Sequence, residues 1–302
     1  MGDSRITTGE PRLDGARVLV TGGSAGIGLE VSHELARRGA TVVIAARDLD
    51  AVQAAVAVLD GDGHEGLRLD VSDQAAWPQA LATIDAGGPL HGLVTAAGEL
   101  GPIGRLEDLE PAALARTIAV NLIGTMLALH HALPRLAGGR AGAVGRAVPA
   151  GGRAVGRAVT FSGGGATSPL ARYDAYAASK AAVVRLTENV AAASEVAVNC
   201  VAPGFVATRI HDATLSAGPE AAGSEYHERT LAGLAEGGFP AREAAELVCF
   251  LLSDAAAGIT GRLLSAQWDP WREAEFQARL RADPDLATLR RIDDQTFTRL
   301  LR

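Results

Sequence analysis

Tyr176 and Lys180 are the residues of this 302-residue chain whose types and spacing most directly suggest chemistry. They lie four positions apart in AYAASKAAVVRLTENVA, a spacing that places both side chains on one face of a helix. An ammonium group close to a phenol favours the phenolate, so the pair could transfer protons near neutral pH. Lowering the tyrosine pKa by about 3 units requires about 4 kcal/mol of differential interaction. Residues with this spacing can also be merely helical neighbours, so other motifs must decide whether the pair is catalytic.

A glycine-rich segment near the N-terminus has the pattern of a dinucleotide site. The apolar run 18–20 precedes Gly22, Gly26 and Gly28, and an amphipathic helical pattern follows. A continuous apolar run is typical of a strand covered on both faces. Glycines at the turn allow a sharp bend and a close approach to a pyrophosphate, which the first N–H groups of the next helix can bind. The order strand, turn, helix therefore predicts a dinucleotide site.

Apolar runs recur along the chain and alternate with helical stretches rich in alanine and leucine. This alternation is typical of a doubly wound α/β sheet, and no second core is visible. The runs predict strands at 17–21, 41–46, 66–69, 91–96, 157–161, 196–201 and 262–265.

These motifs together resemble the short-chain dehydrogenase/reductase family over roughly residues 12–265. They stand in the family's order: TGGSAGIG at 21–28, Asp70 with Val71, TAAG at 95–98, Asn121 in VNLIG, Tyr176 with Lys180, and Pro203 with Gly204. The resemblance implies a single-domain Rossmann fold, with a doubly wound parallel sheet of about seven strands in three α/β/α layers. It also implies an enzyme that acts on CH–OH groups by hydride transfer between a nicotinamide and a secondary alcohol or ketone.

The resemblance assigns roles to three catalytic residues. Tyr176 would be the general acid in reduction and the general base in oxidation. Lys180 would hold the nicotinamide ribose and lower the tyrosine pKa, and Asn121 would anchor a water relay behind the lysine.

The serine that polarises the substrate carbonyl in the family is displaced in this chain. The family commonly has it thirteen residues before the tyrosine, where this chain has Gly163, while Ser162 stands fourteen before. We favour Ser162 for the role, because the glycines after it allow the loop to turn its hydroxyl inward. The alternative is another donor, such as Thr167 or Ser168.

The end of the second predicted strand, VVIAARD, bears on the choice between NAD and NADP. An acidic residue there would bind the ribose 2′-hydroxyl of NAD, but the chain has Ala46 followed by Arg47. A guanidinium binds phosphate through paired donors, so Arg47 favours NADP, although it can also be a solvated loop charge. Ala25 weakens this interpretation because many NADP-preferring relatives have a basic residue there, whereas the Ser24 hydroxyl could still bind the phosphate.

The remaining cofactor contacts are expected from the resemblance. Asp70 is expected at the adenine edge and Thr208 at the nicotinamide carboxamide. Thr95 departs from the family's asparagine, but the small residues after it still allow a close approach to the cofactor. The full expected set is Gly22, Ser24, Gly26, Ile27, Gly28, Arg47, Asp70, Val71, Ala97, Gly98, Tyr176, Lys180, Pro203, Gly204 and Thr208.

The domain predicted from these patterns spans 13–268, after an N-terminal tail at 1–12 and before a C-terminal extension at 269–302. An insertion at about 138–155 carries GRAV repeats, whose glycine, alanine and arginine predict a flexible surface loop. The alternative is a basic flap for an anionic partner, formed by Arg140, Arg146 and Arg153.

A lid at about 205–240 is expected to determine substrate specificity. Its polar residues suit a hydroxyl-bearing substrate, although ordinary amphipathic lid helices have a similar composition. They are His211, Asp212, Glu225, Tyr226, His227 and Arg229. The elements SGGGAT and ITGRLLSAQWDPW resemble a subgroup of sugar and polyol dehydrogenases, which favours a polyhydroxylated substrate. Trp268, Trp271 and Phe276 are expected to dock the C-terminal extension on the body or on a neighbouring subunit rather than to bind sugar.

Composition indicates the cellular compartment and the classes of binding partner that are not expected. The formal net charge of −7 argues against nucleic-acid binding, and the chain has neither a signal-peptide pattern nor an apolar stretch of twenty residues. Cys200 and Cys249 are expected to be buried and reduced, which indicates the cytoplasm. The seven histidines lack a metal-ligand spacing, so no metal is expected.

Two other classes of function remain open from the sequence. One is a regulator that binds a dinucleotide without turnover, which the complete set of Tyr176, Lys180 and Asn121 disfavours. The other is an isomerase or dehydratase that uses transient oxidation. The resemblance also implies a homodimer or homotetramer.

Overall fold

Seven parallel strands form one sheet in the computed structural model, which describes residues 11–138 and 156–291. The strands are β1 (Arg17–Thr21), β2 (Thr41–Ala46), β3 (Glu65–Arg68), β4 (Gly92–Thr95), β5 (Arg157–Phe161), β6 (Ala197–Ala202) and β7 (Leu263–Ser265). Their order is β3-β2-β1-β4-β5-β6-β7. Every predicted strand is found within one or two residues, and the Rossmann fold is confirmed. Because the winding reverses between β1 and β4, a crevice opens at their carboxyl ends.

The sheet is buried on both faces, as the unbroken apolar runs predict. Val18 and Val20 of β1 pack into one core cluster with residues of the helices Gly26–Arg37 and Ala241–Leu252, whereas Leu19 packs into a second cluster on the other face. The two clusters correspond to the two helical layers. The helices of the described residues are α1 (Gly26–Arg37), α2 (Leu49–Val56), α3 (Trp77–Ala86), α4 (Pro111–Ile118), α5 (Gly124–Leu136), α6 (Asp174–Ala193), α7 (Asp212–Ala222), α8 (Ser224–Ala235), α9 (Ala241–Leu252) and α10 (Ala274–Ala282).

A π-helical turn, Ala119–Ile123, joins α4 to α5 and carries Asn121. Together they make a continuous helix, Pro111–Leu136, that is long and apolar enough to span a membrane by length and composition. The sequence-based expectation overlooked this segment. A core helix of a soluble protein meets the same criterion, and Ala128 and Leu129 pack against the sheet here. We therefore interpret one face of the helix as part of the core.

The described part of the C-terminal extension, residues 269–291, docks on the body of the domain. Trp271 and Phe276 are buried in the core, as expected, and the Arg262 guanidinium donates to the carbonyl of Leu280 at 2.8 Å. Trp268 does not pack on the body and is 78% exposed, so its docking on a neighbouring subunit stays a prediction. The predicted insertion and its arginines lie almost entirely outside the described residues, as does most of the N-terminal tail.

Candidate active site

One cleft of about 1440 Å³ crosses the carboxyl ends of the strands. All fifteen residues expected to bind the cofactor line it, although their positions range from Gly22 to Thr208. Ser162 lines it too, while Asn121 stands behind the wall. The structure therefore brings together residues that the sequence motifs placed on separate strands.

At the turn after β1, the backbone shape suits a dinucleotide phosphate. A Cβ on Gly22 would lie 2.6 Å from the Ala97 nitrogen, and a Cβ on Gly28 would overlap the Gly22 carbonyl oxygen. Only residues without a side chain permit this approach. The N-cap residue Ala25 has no side chain that bonds the first N–H groups of α1, so those groups remain able to bind an anion.

The end of the cleft beside β2 carries the groups expected at the adenosine. Arg47 is exposed, and the adjacent Asp48 carboxylate accepts hydrogen bonds from the N–H groups of Asp50 and Ala51 at the start of α2. Burial by itself would raise the pKa of Asp70, but hydrogen bonds from Ser72 and the positive charge of Arg47 hold that pKa below its ordinary value. Asp70 is therefore an anionic acceptor at this end.

Tyr176 and Lys180 lie one turn apart on α6 and are both buried at the end of β5. The Lys180 Nζ donates to the Phe161 carbonyl at 3.2 Å and lies 5.7 Å from the centre of the Tyr176 ring. Burial lowers the pKa of the Lys180 ammonium to about 8. Burial also raises the pKa of the Tyr176 phenol, and the neighbouring Tyr226 adds to that increase.

The expectation that Lys180 lowers the pKa of Tyr176 is therefore wrong for the protein alone. Desolvation favours the neutral form of each group, and the lysine directs its charge to a backbone carbonyl. The phenolate would require further positive charge in the cleft.

Asn121 braces the base of α6 rather than lining the cleft. Its Oδ1 accepts from the N–H of Glu99, and its Nδ2 donates to the Glu99 carbonyl, each at 2.9 Å. The same Nδ2 donates to Ser179 Oγ at 3.0 Å, and that hydroxyl donates to the Tyr176 carbonyl at 2.7 Å. Ser179 thus links Asn121 to the backbone of Tyr176. The sequence analysis missed this residue, although it lies between the tyrosine and the lysine in YAASK.

Gly163 lies directly against the Tyr176 hydroxyl. A Cβ on Gly163 would overlap the phenol oxygen and come within 3.0 Å of Cζ, so the phenol occupies the space of a side chain at this position. Ser162 is buried at the end of β5 and lines the cleft, whereas Thr167 and Ser168 are exposed and, among the described residues, do not line it. Ser162 is thus the better placed of the candidates considered.

Thr95, which stands where the family has asparagine, also has a structural consequence. The Thr95 hydroxyl is buried without a hydrogen-bond partner among the described residues.

In the lid, His211, Asp212 and Tyr226 line the cleft, while the other lid residues singled out from the sequence do not. Glu99 and Trp268 also line the cleft, and the sequence analysis did not place them there.

Comparison with known proteins identifies the family. A family model described as short chain dehydrogenase matches residues 16–217. Cis-4-hydroxycyclohexanecarboxylate dehydrogenase of Sinomonas cyclohexanicum is 36% identical over 259 residues, covering 82% of this chain and 93% of that protein. Galactitol 2-dehydrogenase (L-tagatose-forming) of Cereibacter sphaeroides is 33% identical over 271 residues, covering 84% and 94%. An actinorhodin polyketide ketoreductase variant solved with NADPH superposes with a TM-score of 0.70 at 25% identity, covering 83% and 95%.

The chain belongs to the short-chain dehydrogenase/reductase family. It is an oxidoreductase that acts on CH–OH groups of secondary alcohols with a nicotinamide dinucleotide.

The contact between Gly163 and Tyr176 can be tested by adding one methyl group. Gly163→Ala is expected to lower kcat between about 10-fold and 100-fold, because the methyl group must displace the phenol oxygen by about 1 Å. Steady-state kinetics measure this loss, and cofactor binding measured by fluorescence should be nearly unchanged. Gly164→Ala is the matched control, since its Cβ would meet only Leu170 Cδ2, at 3.4 Å. Wild-type kcat in Gly163→Ala would show that the phenol does not need this space.

The lowered pKa of Lys180 can be measured directly, because Lys180 is the only lysine in the chain. Protein labelled with ¹³C at lysine Cε should show one lysine signal that titrates with a midpoint of about 8. A midpoint near the ordinary lysine value would contradict the burial described above.

Stability should follow the same titration. Because the folded-state pKa is depressed, the stabilising contribution is present above the unfolded-state pKa and is lost as the pH falls through about 8. The unfolding free energy of the wild type relative to Lys180→Met should therefore rise by about 2 kcal/mol between about pH 7.5 and 9.5, measured in urea. Lys180→Arg, which stays charged, should show no such rise relative to Lys180→Met.

Proposed function

We propose that this protein is an NADP-dependent dehydrogenase/reductase that interconverts a secondary alcohol and a ketone on a polar, polyhydroxylated substrate. The observation that carries the proposal is the buried Tyr176–Lys180 pair at the end of β5, with the phenol oxygen held against Gly163 on the wall of the cleft.

Tyr176 handles the proton of the reaction. Its raised pKa keeps the phenol protonated at neutral pH, so it is ready to donate a proton to the oxygen of a ketone. In the opposite direction it must release that proton, which extra positive charge near Lys180 would favour. The Ser162 hydroxyl would donate to the same substrate oxygen, and the nicotinamide, when bound, supplies or accepts the hydride. Asn121 and Ser179 keep the first turn of α6 in place through their hydrogen bonds.

NADP is favoured by the charges around the end of β2. Arg47 lines the cleft there, and its side chain is exposed. The only acidic neighbour in sequence, Asp48, is occupied as the N-cap of α2. The similarity to a ketoreductase solved with NADPH supports the same choice.

A polyhydroxylated substrate is supported by two relatives and by the cleft. These relatives are named for the polyols galactitol and sorbitol. Two hydrogen-bonding side chains of the lid, His211 and Tyr226, line the cleft, and Tyr226 packs against the cluster that contains Tyr176. Such groups bind hydroxyls better than they bind apolar chains.

The buried, unpaired cysteines support a reducing, cytoplasmic setting as a further part of the proposal. Cys200 and Cys249 are both buried, and burial raises the pKa of the Cys200 thiol to about 11.

Ile123 and Met126 are exposed apolar residues on the Pro111–Leu136 helix and support association of copies of the chain.

The reaction is tested with NADPH and a panel of ketones, and with NADP⁺ and polyols, by following nicotinamide absorbance. Turnover is expected, and Tyr176→Phe should lower it between about 10²-fold and 10⁴-fold because the general acid is lost. Tyr173→Phe is the matched control. The Tyr173 hydroxyl donates to the Thr214 hydroxyl, and Tyr173 is buried and is not among the described residues that line the cleft.

Other outcomes identify other functions or roles. A regulator would bind NADPH without oxidising it, and an isomerase or dehydratase would change the substrate without net oxidation. If Ser162→Ala kept nearly full turnover while Tyr176→Phe lost it, Ser162 would not be the carbonyl donor.

The cofactor preference is tested by Arg47→Ala. Loss of the guanidinium should raise the KM for NADPH by at least about 10-fold and leave the KM for NADH nearly unchanged, because only NADPH carries the 2′-phosphate. Arg68→Ala, at an exposed position on the next strand, is the control. An equal effect on both cofactors would assign Arg47 to another role.

A further inference from the structure

Tyr226 of the lid carries a hydroxyl that the protein leaves open and without a partner. The residue lies on α8, is partly buried and lines the cleft. Its hydroxyl makes no hydrogen bond to any described residue, yet it is not one of the fully buried atoms there that lack a partner, as the Thr95 hydroxyl is, so it is open to solvent. The ring is thus covered while its polar end stays available to a ligand.

The ring of Tyr226 is held by its neighbours. Its centroid lies 4.8 Å from that of Tyr173, with an interplanar angle of 54°, and 5.5 Å from Cζ of the Arg229 guanidinium. Tyr173 is itself fixed, since its hydroxyl donates to the Thr214 hydroxyl at 3.1 Å. A hydroxyl on a ring with a fixed position distinguishes ligands better than one on a mobile side chain.

Tyr226 lies beside the reacting phenol. Tyr173 immediately precedes α6 and Tyr176 lies in its first turn, and Tyr226 packs against the cluster that contains both. Burial is the main cause of the raised pKa of Tyr176, and the nearness of Tyr226 adds to it. Because the repulsion between two phenolates falls with distance, this effect agrees with the packing in placing the two hydroxyls near each other.

These two neighbouring hydroxyls do not bond each other. No hydrogen bond joins Tyr226 to Tyr176, and within the described parts of the chain the Tyr176 hydroxyl also has no partner. Both residues line the cleft. A ligand that satisfies both hydroxyls must therefore bring two oxygen atoms to the same end of the cleft.

The Tyr226 phenol is neutral at neutral pH. Burial raises its pKa, against the opposing effect of the Arg229 charge. A neutral phenol can both donate and accept a hydrogen bond, as an alcohol can. The group is therefore suited to bind a hydroxyl of the substrate.

We propose that the Tyr226 hydroxyl binds a second substrate oxygen, a hydroxyl on the carbon next to the reacting one, while Tyr176 binds the reacting oxygen. This inference rests on the proposed function and specifies the substrates that function would prefer, which are vicinal diols and the corresponding α-hydroxy ketones. A simple alcohol or ketone would displace water from the cleft and leave the Tyr226 hydroxyl unpaired, which costs free energy. No bond of the Tyr226 phenol is made or broken in the reaction.

The test compares the reduction of 2-hydroxycyclohexanone and of cyclohexanone by NADPH. The two ketones differ only in the hydroxyl beside the carbonyl, and the wild type should prefer the first. Tyr226→Phe keeps the ring and removes a hydroxyl that has no described protein partner, so it should fold as the wild type does. It should lower the preference, expressed as the ratio of the two kcat/KM values, by about 10-fold. The kcat/KM for cyclohexanone should change less than about twofold.

Tyr173→Phe is the matched control for this comparison. It removes the hydroxyl of the neighbouring ring, which is bonded to Thr214, and Tyr173 is not among the described residues that line the cleft. The preference between the two ketones should be unchanged in this variant. An equal loss on both ketones in Tyr226→Phe would make Tyr226 a structural residue and overturn the proposal. So would an unchanged preference in that variant, or a wild type without one.

A binding measurement decides the inference even if neither ketone is reduced. Protein labelled with ¹³C at tyrosine Cζ should show three tyrosine signals, since the chain has three tyrosines, and the three phenylalanine variants assign them. With NADPH bound, trans-cyclohexane-1,2-diol, which NADPH cannot reduce, should shift the Tyr226 signal, and cyclohexanol should shift it much less. Absence of reduction with this difference present would refute the proposed reaction alone. No shift with the diol, or an equal shift with cyclohexanol, would refute the role of Tyr226.

Discussion

Desolvation of one ammonium group and one phenol is the constraint on which the rest of the site depends. Tyr176 and Lys180 are buried where β5 ends, so both lose the water that would stabilise their charged forms. Lys180 compensates in part by donating to the Phe161 carbonyl. Arginine supplies every other fixed side-chain cation in this chain. Arginine stays charged wherever it is placed, whereas a buried lysine can lose its proton near neutral pH, so this position has a chemical reason to differ from the others.

Close backbone approach is the second requirement, and it explains why small residues surround the cleft. The turn at Gly22 lies on the strand end at Ala97, and α1 packs on the same turn through Gly28. Gly163 plays a corresponding part beside the phenol, where the backbone itself forms the wall. A side chain at Gly22 or Gly28 would clash with neighbouring backbone, and one at Gly163 would occupy the position of the phenol oxygen. The cleft is therefore shaped by backbone, while a few side chains provide its chemistry.

The lid and the C-terminal extension show where local pattern loses its predictive value. Trp268 and Trp271 stand three residues apart in the segment AQWDPW, yet Trp271 packs against Phe250 and Trp268 is exposed at the edge of the cleft. Tyr226 was one polar residue among several in a mixed segment, and only the Tyr173 ring and the cluster around Tyr176 distinguish it. Neither difference is visible in residue type, because each depends on which distant surface covers the side chain.

The sequence by itself determined the seven strands, their parallel α/β arrangement and the residues gathered at the carboxyl ends, since burial on both faces and glycine at tight turns leave direct signatures in local residue order. Only the tertiary structure decided the directions of the two pKa shifts, the packing of the Tyr176 hydroxyl on Gly163 and the position of Tyr226 beside the reacting phenol. These properties depend on dehydration and on hydrogen-bond partners contributed by other parts of the chain, and the order of residues does not state which groups will meet.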